Sequence, residues 1–322
     1  MTAQRLHVSS EDGPAVLSGV PAPLRGVGRA HSLAQVLDIA LSEAGLRLGY
    51  DALMGLTGLA FRTPPWPEGP GLSAEETAAA VAALDAAIAG DVRLHQVGPA
   101  EDAMRLAQEA IDAGVPCPAL GWGSVKESWS IICGYDAAKQ RLLGHCLLDA
   151  PRERYEAWPP TAELMIALPG SPSAGGREVL TGAVQAAHRR WDDSGRARYR
   201  AWIAAVQDSD APPGPEHEVA VELLADARTA SAGFLERLAE LEEPIPQSWL
   251  RRAAELHRRV VEGLEARGAT HSPEVLAALE TVGGRDAWAE QLRSLLRLEE
   301  RAFEALRLSA VADYPPEEAD LL

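Results

Sequence analysis

The stretch Cys117–Asp136, which reads CPALGWGSVKESWSIICGYD, decides the class of fold. Within it, residues 119–122 and 129–135 are short, mostly apolar runs, and glycine and charged residues separate them. Two similar runs follow at residues 142–148 and 163–168. Short runs divided by Gly, Asp or Pro are typical of antiparallel strands. The sequence therefore predicts an antiparallel sheet in this part of the chain.

Helical periodicity precedes this sheet. Apolar side chains repeat at helical spacing in residues 31–44 and 100–113. Ser73 with Glu76 three residues later reads as a capping box, which predicts a further helix over residues 73–89. Before them, residues 1–25 mix Ser, Gly and Pro with polar side chains, which predicts an extended arm. The helices and the sheet together predict an α+β domain over residues 1–170.

The second half of the chain has the pattern of a helical bundle. Residues 171–176, SPSAGG, read as a linker. Each of the long segments that follow carries an apolar stripe suited to packing one helix on another. These segments are residues 217–241, 247–266 and 285–308. We therefore predict an α-helical bundle domain over residues 171–322.

Composition and charge limit the classes of function. The chain has 47 acidic and 30 basic residues, and its formal net charge of −17 repels nucleic acid and anionic lipid. No window approaches the ~18 uninterrupted apolar residues of a membrane span. Three cysteines, an odd number, suit a reducing compartment and free buried thiols. We expect a cytoplasmic protein that binds neither nucleic acid nor membrane; the oligomeric state stays open.

Three motifs resemble the papain-like cysteine peptidase superfamily. They are the helix at residues 31–44, the strand WSIICGYD at 129–136, and GHCLLDAP at 144–151. They look most similar to bacteriocin-processing peptidases and to the N-terminal domain of the butirosin-biosynthesis acyltransferase. The segment YDALMGLTGLAFR, residues 50–62, is similar to the same acyltransferase-related group. The resemblance covers residues 24–170 and implies a papain-like architecture.

The family's reactive residues are missing where the resemblance places them. A cysteine begins the first long helix in that superfamily, where the helix dipole and an imidazole lower its pKa. The matching stretch here, GRAHSLAQVL at residues 28–37, has His31 and Ser32, and no cysteine precedes Cys117. The resemblance implies a catalytic histidine at the start of WSIICGYD, where the chain instead has Glu127, Ser128 and Trp129.

One family position is retained. Asp149, in LLDAP, lies where the family places the group that orients its histidine. One position of three does not support acyl transfer by the family's mechanism. The resemblance therefore predicts a catalytically degenerate protein.

Two substitute nucleophiles are conceivable. Ser32 could use His31 as a base, although Ser or His before an apolar helical run is usually an N-cap. Cys133 could face His145 across the hairpin 129–148, although buried structural thiols are the commoner state of free cysteines. A register slip of one residue would remove that pairing.

A metal site is not expected. His145, Cys146 and Asp149 lack a fourth ligand and a recognised spacing. We also expect no cofactor.

Aromatic and charged residues cluster around the deciding stretch and predict a ligand pocket. In the resembled fold this segment borders the cleft, so apolar walls with a few polar anchors could form there. The alternative is that the tryptophans pack in the core and the charges lie in a solvated turn. The candidate ligand-binding residues are Trp122, Lys126, Glu127, Trp129, Tyr135 and Asp136, with Trp66 and Arg62 from an upstream loop.

Two polar residues fall on apolar stripes of the helical half. His257 and Glu299 follow the helical spacing of their apolar neighbours. Buried polar groups ordinarily satisfy one another. We therefore predict a buried polar pair rather than a ligand site.

These observations predict a function in binding. A papain-like protein that has lost its nucleophile can still bind a small molecule or a peptide-like ligand in the former active-site cleft. An alternative is an acyltransferase or amide hydrolase with a non-standard Cys or Ser nucleophile. A third hypothesis is a protein-interaction module.

Overall fold

The computed structural model describes most of the chain as two compact units. Unit 1 comprises residues 1–53 and 74–175, and unit 2 comprises residues 54–73 and 176–322. The sequence-based boundary at residue 170 places residues 54–73 in the first domain, whereas the structure assigns them to unit 2. The structure describes residues 6–8, 13–24, 28–65, 71–89, 91–147, 155–168, 173–174, 182–184, 186–188, 191–208, 215–242, 244–266, 277, 279–311 and 316.

Unit 1 combines helices with an antiparallel sheet, which confirms the α+β class. Its helices are α1 (Ser32–Glu43), α2 (Tyr50–Leu56, which continues into unit 2), α3 (Ala74–Ala87) and α4 (Ala100–Asp112). Its strands are β1 (Leu6–Val8), β2 (Ala15–Leu17), β3 (Ile88–Ala89), β4 (Arg93–Gln96), β5 (Cys117–Leu120), β6 (Trp129–Asp136), β7 (Arg141–His145), β8 (Glu156–Trp158), β9 (Leu164–Ala167) and β10 (Ser173–Ala174).

Strand β6 is the centre of the main sheet. The strands follow the order β1-β2-β6-β5-β9-β4, and β7 pairs with both β6 and β8. Gly134 of the GYD motif is required here, because a Cβ at this position would lie 2.5 Å from the carbonyl oxygen of Ala15 on β2. The predicted arm thus contributes two strands to the sheet. The predicted linker likewise contains β10, which pairs with β3.

The core of unit 1 covers both faces of β6. Seven of its eight residues are buried, and successive side chains of a strand point to opposite faces. Helices α1 and α4 both contact β5 and β6. Met104 and Ala107 of α4 share one apolar cluster with Ile132 of β6 and Trp122. The buried apolar stripe of each helix is what fixes it on the sheet.

In unit 2 the described regular elements are helical. They include a short 3-10 helix (Leu59–Phe61) and a π-helical turn (Trp191–Gly195). The long helices are α5 (Arg196–Asp208), α6 (Pro215–Ala239), α7 (Pro244–Glu265) and α8 (Val282–Val311). Helix α7 packs against both α6 and α8, in agreement with the predicted helix packing.

Among the helices in the described ranges, none is both long enough and apolar enough to cross a membrane.

Candidate functional site

The start of α1 lies beside the start of β6. Ser32 is the first residue of α1, and its Oγ accepts a hydrogen bond of 3.1 Å from the backbone N–H of Trp129, the first residue of β6. These are the two stretches that the sequence-based hypothesis compares with a nucleophile position and a base position. We call Ser32, Ser128, Trp129 and the first turn of α1 the α1–β6 junction.

Hydrogen bonds fix the chain just before α1. The backbone N–H of His31 donates to the Tyr50 hydroxyl at 3.2 Å, and the side chain of Gln35 bonds both Arg29 O and Leu24 N. The Arg29 guanidinium lies 5.1 Å from the centre of the Tyr50 ring. The entry to the helix is therefore rigidly anchored by polar contacts.

The helix begins without a side-chain cap. His31 occupies the N-cap position in an extended conformation, but its side chain makes no capping hydrogen bond, and no acidic residue lies in the first turn. His31 therefore occupies the N-cap position but does not form the capping hydrogen bond. The Ser32 hydroxyl instead bonds the main chain of β6, so the N–H groups of this first turn retain their partial positive charge without a compensating carboxylate.

The loop before β6 combines buried and exposed candidates. Trp122 is fully buried in the core of unit 1, and Trp129 is only 3% exposed. Lys126 and Glu127 have exposed side chains, and Lys126 Nζ donates to Gly121 O at 2.7 Å. Core packing therefore accounts for both tryptophans, whereas the charged residues face solvent beside the α1–β6 junction.

The structure separates the remaining pocket candidates. Tyr135 and Asp136 end the strand that Trp129 begins, about 20 and about 23 Å away at the usual rise per strand residue. The Tyr135 hydroxyl donates to Asp112 Oδ1 at 2.8 Å. Asp136 accepts from Lys139 Nζ at 2.8 Å, a contact that lowers the pKa of its carboxyl. Asp136 therefore stabilises the β6–β7 turn and Tyr135 bonds the end of α4, and neither residue joins Trp129 at one pocket.

The upstream loop contributes one described candidate. Arg62 belongs to unit 2, is 4% exposed, and donates through Nη2 to Gly71 O at 2.5 Å. The Arg62 guanidinium thus bonds the main chain nine residues further along instead of pointing to a ligand pocket. Trp66 lies outside the described residues.

All three thiols are free and buried, as the sequence predicted. Cys117, Cys133 and Cys146 are at most 1% exposed. Burial raises the pKa of Cys117 to about 12 and that of Cys133 well above its ordinary value. A nucleophilic thiolate requires a lowered pKa, so these two thiols are protonated at neutral pH.

The expected pairing of Cys133 with His145 is wrong. Ile131, not Cys133, lies opposite His145, and the register shifts between Ile132 and Gly134. The turn aligns Asp136 with Arg141, a register that would place Cys133 opposite Gly144, and the β-bulge then leaves Cys133 without a partner in the ladder. Burial lowers the pKa of His145, so the ring is neutral at pH 7.

The described residues contain no group of three or more His, Cys, Asp or Glu side chains arranged to hold a metal ion. Cys146 Sγ lies 3.5 Å from Glu156 Oε2, a contact for which the sequence gives no signal. Asp149, the remaining catalytic and metal candidate, is outside the described ranges.

Unit 2 contains a fully buried polar network. Glu299 of α8 accepts hydrogen bonds at Oε1 from Arg228 Nε at 2.7 Å and from the Tyr199 hydroxyl at 2.9 Å. Its Oε2 lies 3.6 Å from His257 Nε2, and His257 Nδ1 lies 2.8 Å from Ser231 Oγ. The predicted buried pair of His257 and Glu299 is therefore confirmed. We call these five residues the buried network.

Electrostatics fix the protonation states in the buried network. Burial alone would raise the pKa of Glu299, but the Arg228 charge and the His257 contact outweigh it and lower the pKa to about 2. Burial lowers the pKa of His257, so its ring is neutral. A neutral ring with its Nε2–H facing the carboxylate leaves Nδ1 to accept from the Ser231 hydroxyl.

Sequence reasoning missed three members of the buried network. Arg228 and Ser231 lie three residues apart on α6, which places them on one helix face, and Tyr199 belongs to α5. A signal was present for two of them, because both residues interrupt the apolar spacing of α6. For Tyr199 no local signal existed, since a buried tyrosine fits an apolar stripe.

Comparison with the models of known protein families gave no match, and a search of curated proteins found no similar sequence.

Proposed function

We propose that the protein is a catalytically degenerate papain-like protein that binds a small molecule or a peptide-like ligand at the α1–β6 junction. The observation that carries this proposal is the hydrogen bond between Trp129 N–H and Ser32 Oγ. It brings together the stretches that correspond, by resemblance, to the nucleophile and base positions of the superfamily. The first stretch has no cysteine at the nucleophile position, and the second has no histidine at the base position.

The chemistry of the junction suits a ligand with carbonyl or carboxylate groups. Ser32 and Ser128 are half-buried, and Ser32 keeps its hydroxyl proton as a donor because its oxygen accepts from Trp129. The first turn of α1 adds N–H groups with partial positive charge, and Lys126 adds an ammonium group. Glu127 supplies an acceptor for ligand N–H groups. Peptide-like molecules carry both kinds of group.

The enzyme alternative has weaker support. A serine hydroxyl becomes a nucleophile only when a base removes its proton. A thiol becomes a nucleophile when its pKa is low enough for the thiolate to form. Cys133 has a raised pKa and does not face His145. A covalent acyl adduct on Ser32 would nevertheless favour this alternative over binding alone. A molecular mass that changes with protein concentration, in the absence of any affinity for small molecules, would favour the interaction-module hypothesis.

The proposal includes a cytoplasmic location. The three cysteines carry free thiols, and such thiols persist in a reducing compartment. We expect the mass of the protein isolated from cells to equal that of the chain with all three thiols in the reduced form.

The papain-like arrangement is tested by restoring the missing pair. In the double variant S32C/S128H, the helix dipole and the imidazole should lower the pKa of the new thiol below its reference value of about 8.5. The matched control is S42C, at the other end of α1, where the dipole opposes a thiolate. The measurement is the iodoacetamide alkylation rate of each cysteine from about pH 5 to 9, read by peptide mass spectrometry.

We expect fast alkylation at position 32 near neutral pH, slow alkylation at position 42, and no reaction of the native thiols in the folded protein. Equal pH profiles at positions 32 and 42 would contradict the arrangement.

Binding is tested separately by saturation-transfer NMR with a library of N-acetylated tripeptide amides. The substitution S32V should abolish the hits and S42V should keep them.

A further inference from the structure

Unit 2 has an open groove along one side of the α7–α8 pair. The groove encloses about 490 Å³, within the range of pockets for small organic ligands. Helix α7 lines it with Trp249, Arg252 and Leu256, at helical spacings of three and four residues that place them on one face. Helix α8 lines the opposite side, with Arg301 and Leu308 among its contributions.

The floor of the groove is apolar. Trp249 is 5% exposed, Leu256 is 1% exposed and Ala305 is 2% exposed. Leu308 at the edge is half-buried, so an apolar surface continues toward solvent. A ligand that covers this surface gains the free energy of removing it from water.

The rim carries positive charge that is not neutralised locally. Within the ranges that the structure describes, neither Arg252 nor Arg301 has an ion-pair or hydrogen-bond partner. The two carboxylates of the groove are paired with arginines that do not line it. Glu300 bonds Arg196 at 3.0 Å, and Glu304 bonds Arg307 at 2.8 Å.

A third arginine adds to the positive rim. Arg297 lines the groove and makes only a long contact of 3.6 Å with Glu290. The groove is therefore a positive site on a chain whose net charge is −17. Such a local reversal of charge attracts anions to the groove and away from the rest of the surface.

We propose that this groove binds a small organic anion, in which a carboxylate or phosphate group is attached to an aromatic or branched aliphatic body. The body would cover Trp249 and Leu256, and the anionic group would lie between Arg252 and Arg301. Guanidinium groups bind carboxylate and phosphate oxygens through paired hydrogen bonds, which makes arginine suited to this role. The site is independent of the α1–β6 junction.

Three probes separate the apolar from the anionic contribution. They are 1-naphthyl phosphate, which has both parts, 1-naphthol, which has only the ring, and inorganic phosphate, which has only the charge. Isothermal titration calorimetry on the full chain gives the dissociation constants. We expect 1-naphthyl phosphate to bind at least about tenfold more tightly than either partial probe, a difference of about 1.4 kcal/mol. 1-Naphthoate, measured alongside, shows whether carboxylate or phosphate is preferred.

The arginines are tested by neutral substitutions. R252Q and R301Q should each weaken 1-naphthyl phosphate binding by about fivefold or more, as expected for a lost hydrogen bond to a charged group. The matched control is R251Q, because Arg251 is the exposed neighbour of Arg252 on α7 and does not line the groove. Salt should weaken binding of the phosphate probe and leave that of 1-naphthol unchanged. All three positions reach solvent, so the variants are expected to fold.

Two results would overturn the proposal. One is equal affinity for 1-naphthyl phosphate and 1-naphthol, because the arginines would then contribute nothing. The other is equal affinity of R252Q, R301Q and R251Q for the phosphate probe, because binding would then occur elsewhere on the surface.

Discussion

Ser32 in unit 1 and Ser231 in unit 2 differ in their burial and in the partners of their hydroxyl groups. Ser32 follows His31 in the sequence, yet its Oγ bonds the main chain of Trp129 and the side chain is half-buried. Ser231 is 26 residues from His257, yet the two side chains are 2.8 Å apart and fully buried. Proximity along the chain therefore gives no guide to which serine meets a histidine.

The two environments also differ in what they can do. In the buried network, hydrogen bonds join Glu299 Oε1 to Arg228 and Tyr199, and Ser231 to His257. Glu299 Oε2 and His257 Nε2 have only their mutual contact of 3.6 Å, which is longer than a hydrogen bond. The side chains are not exposed to solvent, which is the behaviour of a structural element. Arg228 extends that network by donating to the backbone carbonyls of Ala60 and Arg62, at 2.9 and 3.1 Å. The network thus holds the loop after α2 in unit 2. At the α1–β6 junction polar groups reach solvent and are available to a ligand.

The largest expected effect comes from removing the buried carboxylate. E299Q leaves the Arg228 guanidinium buried without its counter-ion, which should lower the free energy of unfolding by about 3–5 kcal/mol. Urea denaturation followed by circular dichroism measures this change. The neighbouring E300Q is the control, because Glu300 forms a partly exposed pair that should be worth about 1 kcal/mol or less. Similar losses for both variants would contradict a structural role for the network.

The pH dependence of stability tests another buried polar group of unit 2. Trp202 Nε1 donates to Nδ1 of the buried His217, and burial lowers the pKa of His217 to about 4. Because this folded-state pKa is depressed, the stabilisation is complete above the ordinary value of about 6.5 and is lost as pH falls through 4. The expected loss between about pH 6.5 and 4 is on the order of 3 kcal/mol.

His257, whose pKa is lowered in the same direction, adds to that loss. Urea denaturation at several pH values should therefore show a shallower slope in H217Q, which cannot take up the proton. An H217Q slope as steep as that of the unmodified protein would contradict the assignment.

The serine of the buried network has an intermediate expected effect. S231A leaves Nδ1 of His257 buried without a partner, which should cost about 1–3 kcal/mol. Thermal unfolding and urea denaturation both measure this loss. A neutral result would mean that the ring turns to another partner.

The serine of the α1–β6 junction has the smallest expected effect on stability. In S32A the Trp129 N–H loses a partner in a half-buried position that water can reach, so the expected cost is about 0.5–1 kcal/mol. The same denaturation measurements apply. A cost for S32A above that for S231A would reverse the comparison between the two serines and favour a structural role for Ser32.

Part of the candidate chemistry was predictable from local patterns. His257 and Glu299 interrupted the apolar stripes of α7 and α8, and that interruption was enough to predict their burial. The apolar neighbours of the three cysteines likewise predicted buried thiols. The separation of Trp129 from Tyr135 was also implicit, since they lie at opposite ends of one strand. The pairing of Cys133 with His145 failed because the turn aligns Asp136 with Arg141, a register that would place Cys133 opposite Gly144, and a difference of one residue in register leaves no mark in the sequence pattern.

The sequence by itself determined six of the helices, the strands β5, β6, β7 and β9 and the α+β class, because the 3.6-residue and two-residue periods of apolar side chains are local properties. Only the tertiary structure decided which distant groups meet. Arg228 reaches Ala60 across 168 positions, and Trp129 reaches Ser32 across 97. Contacts at such separations depend on how packed elements align, and local periodicity carries no record of that alignment.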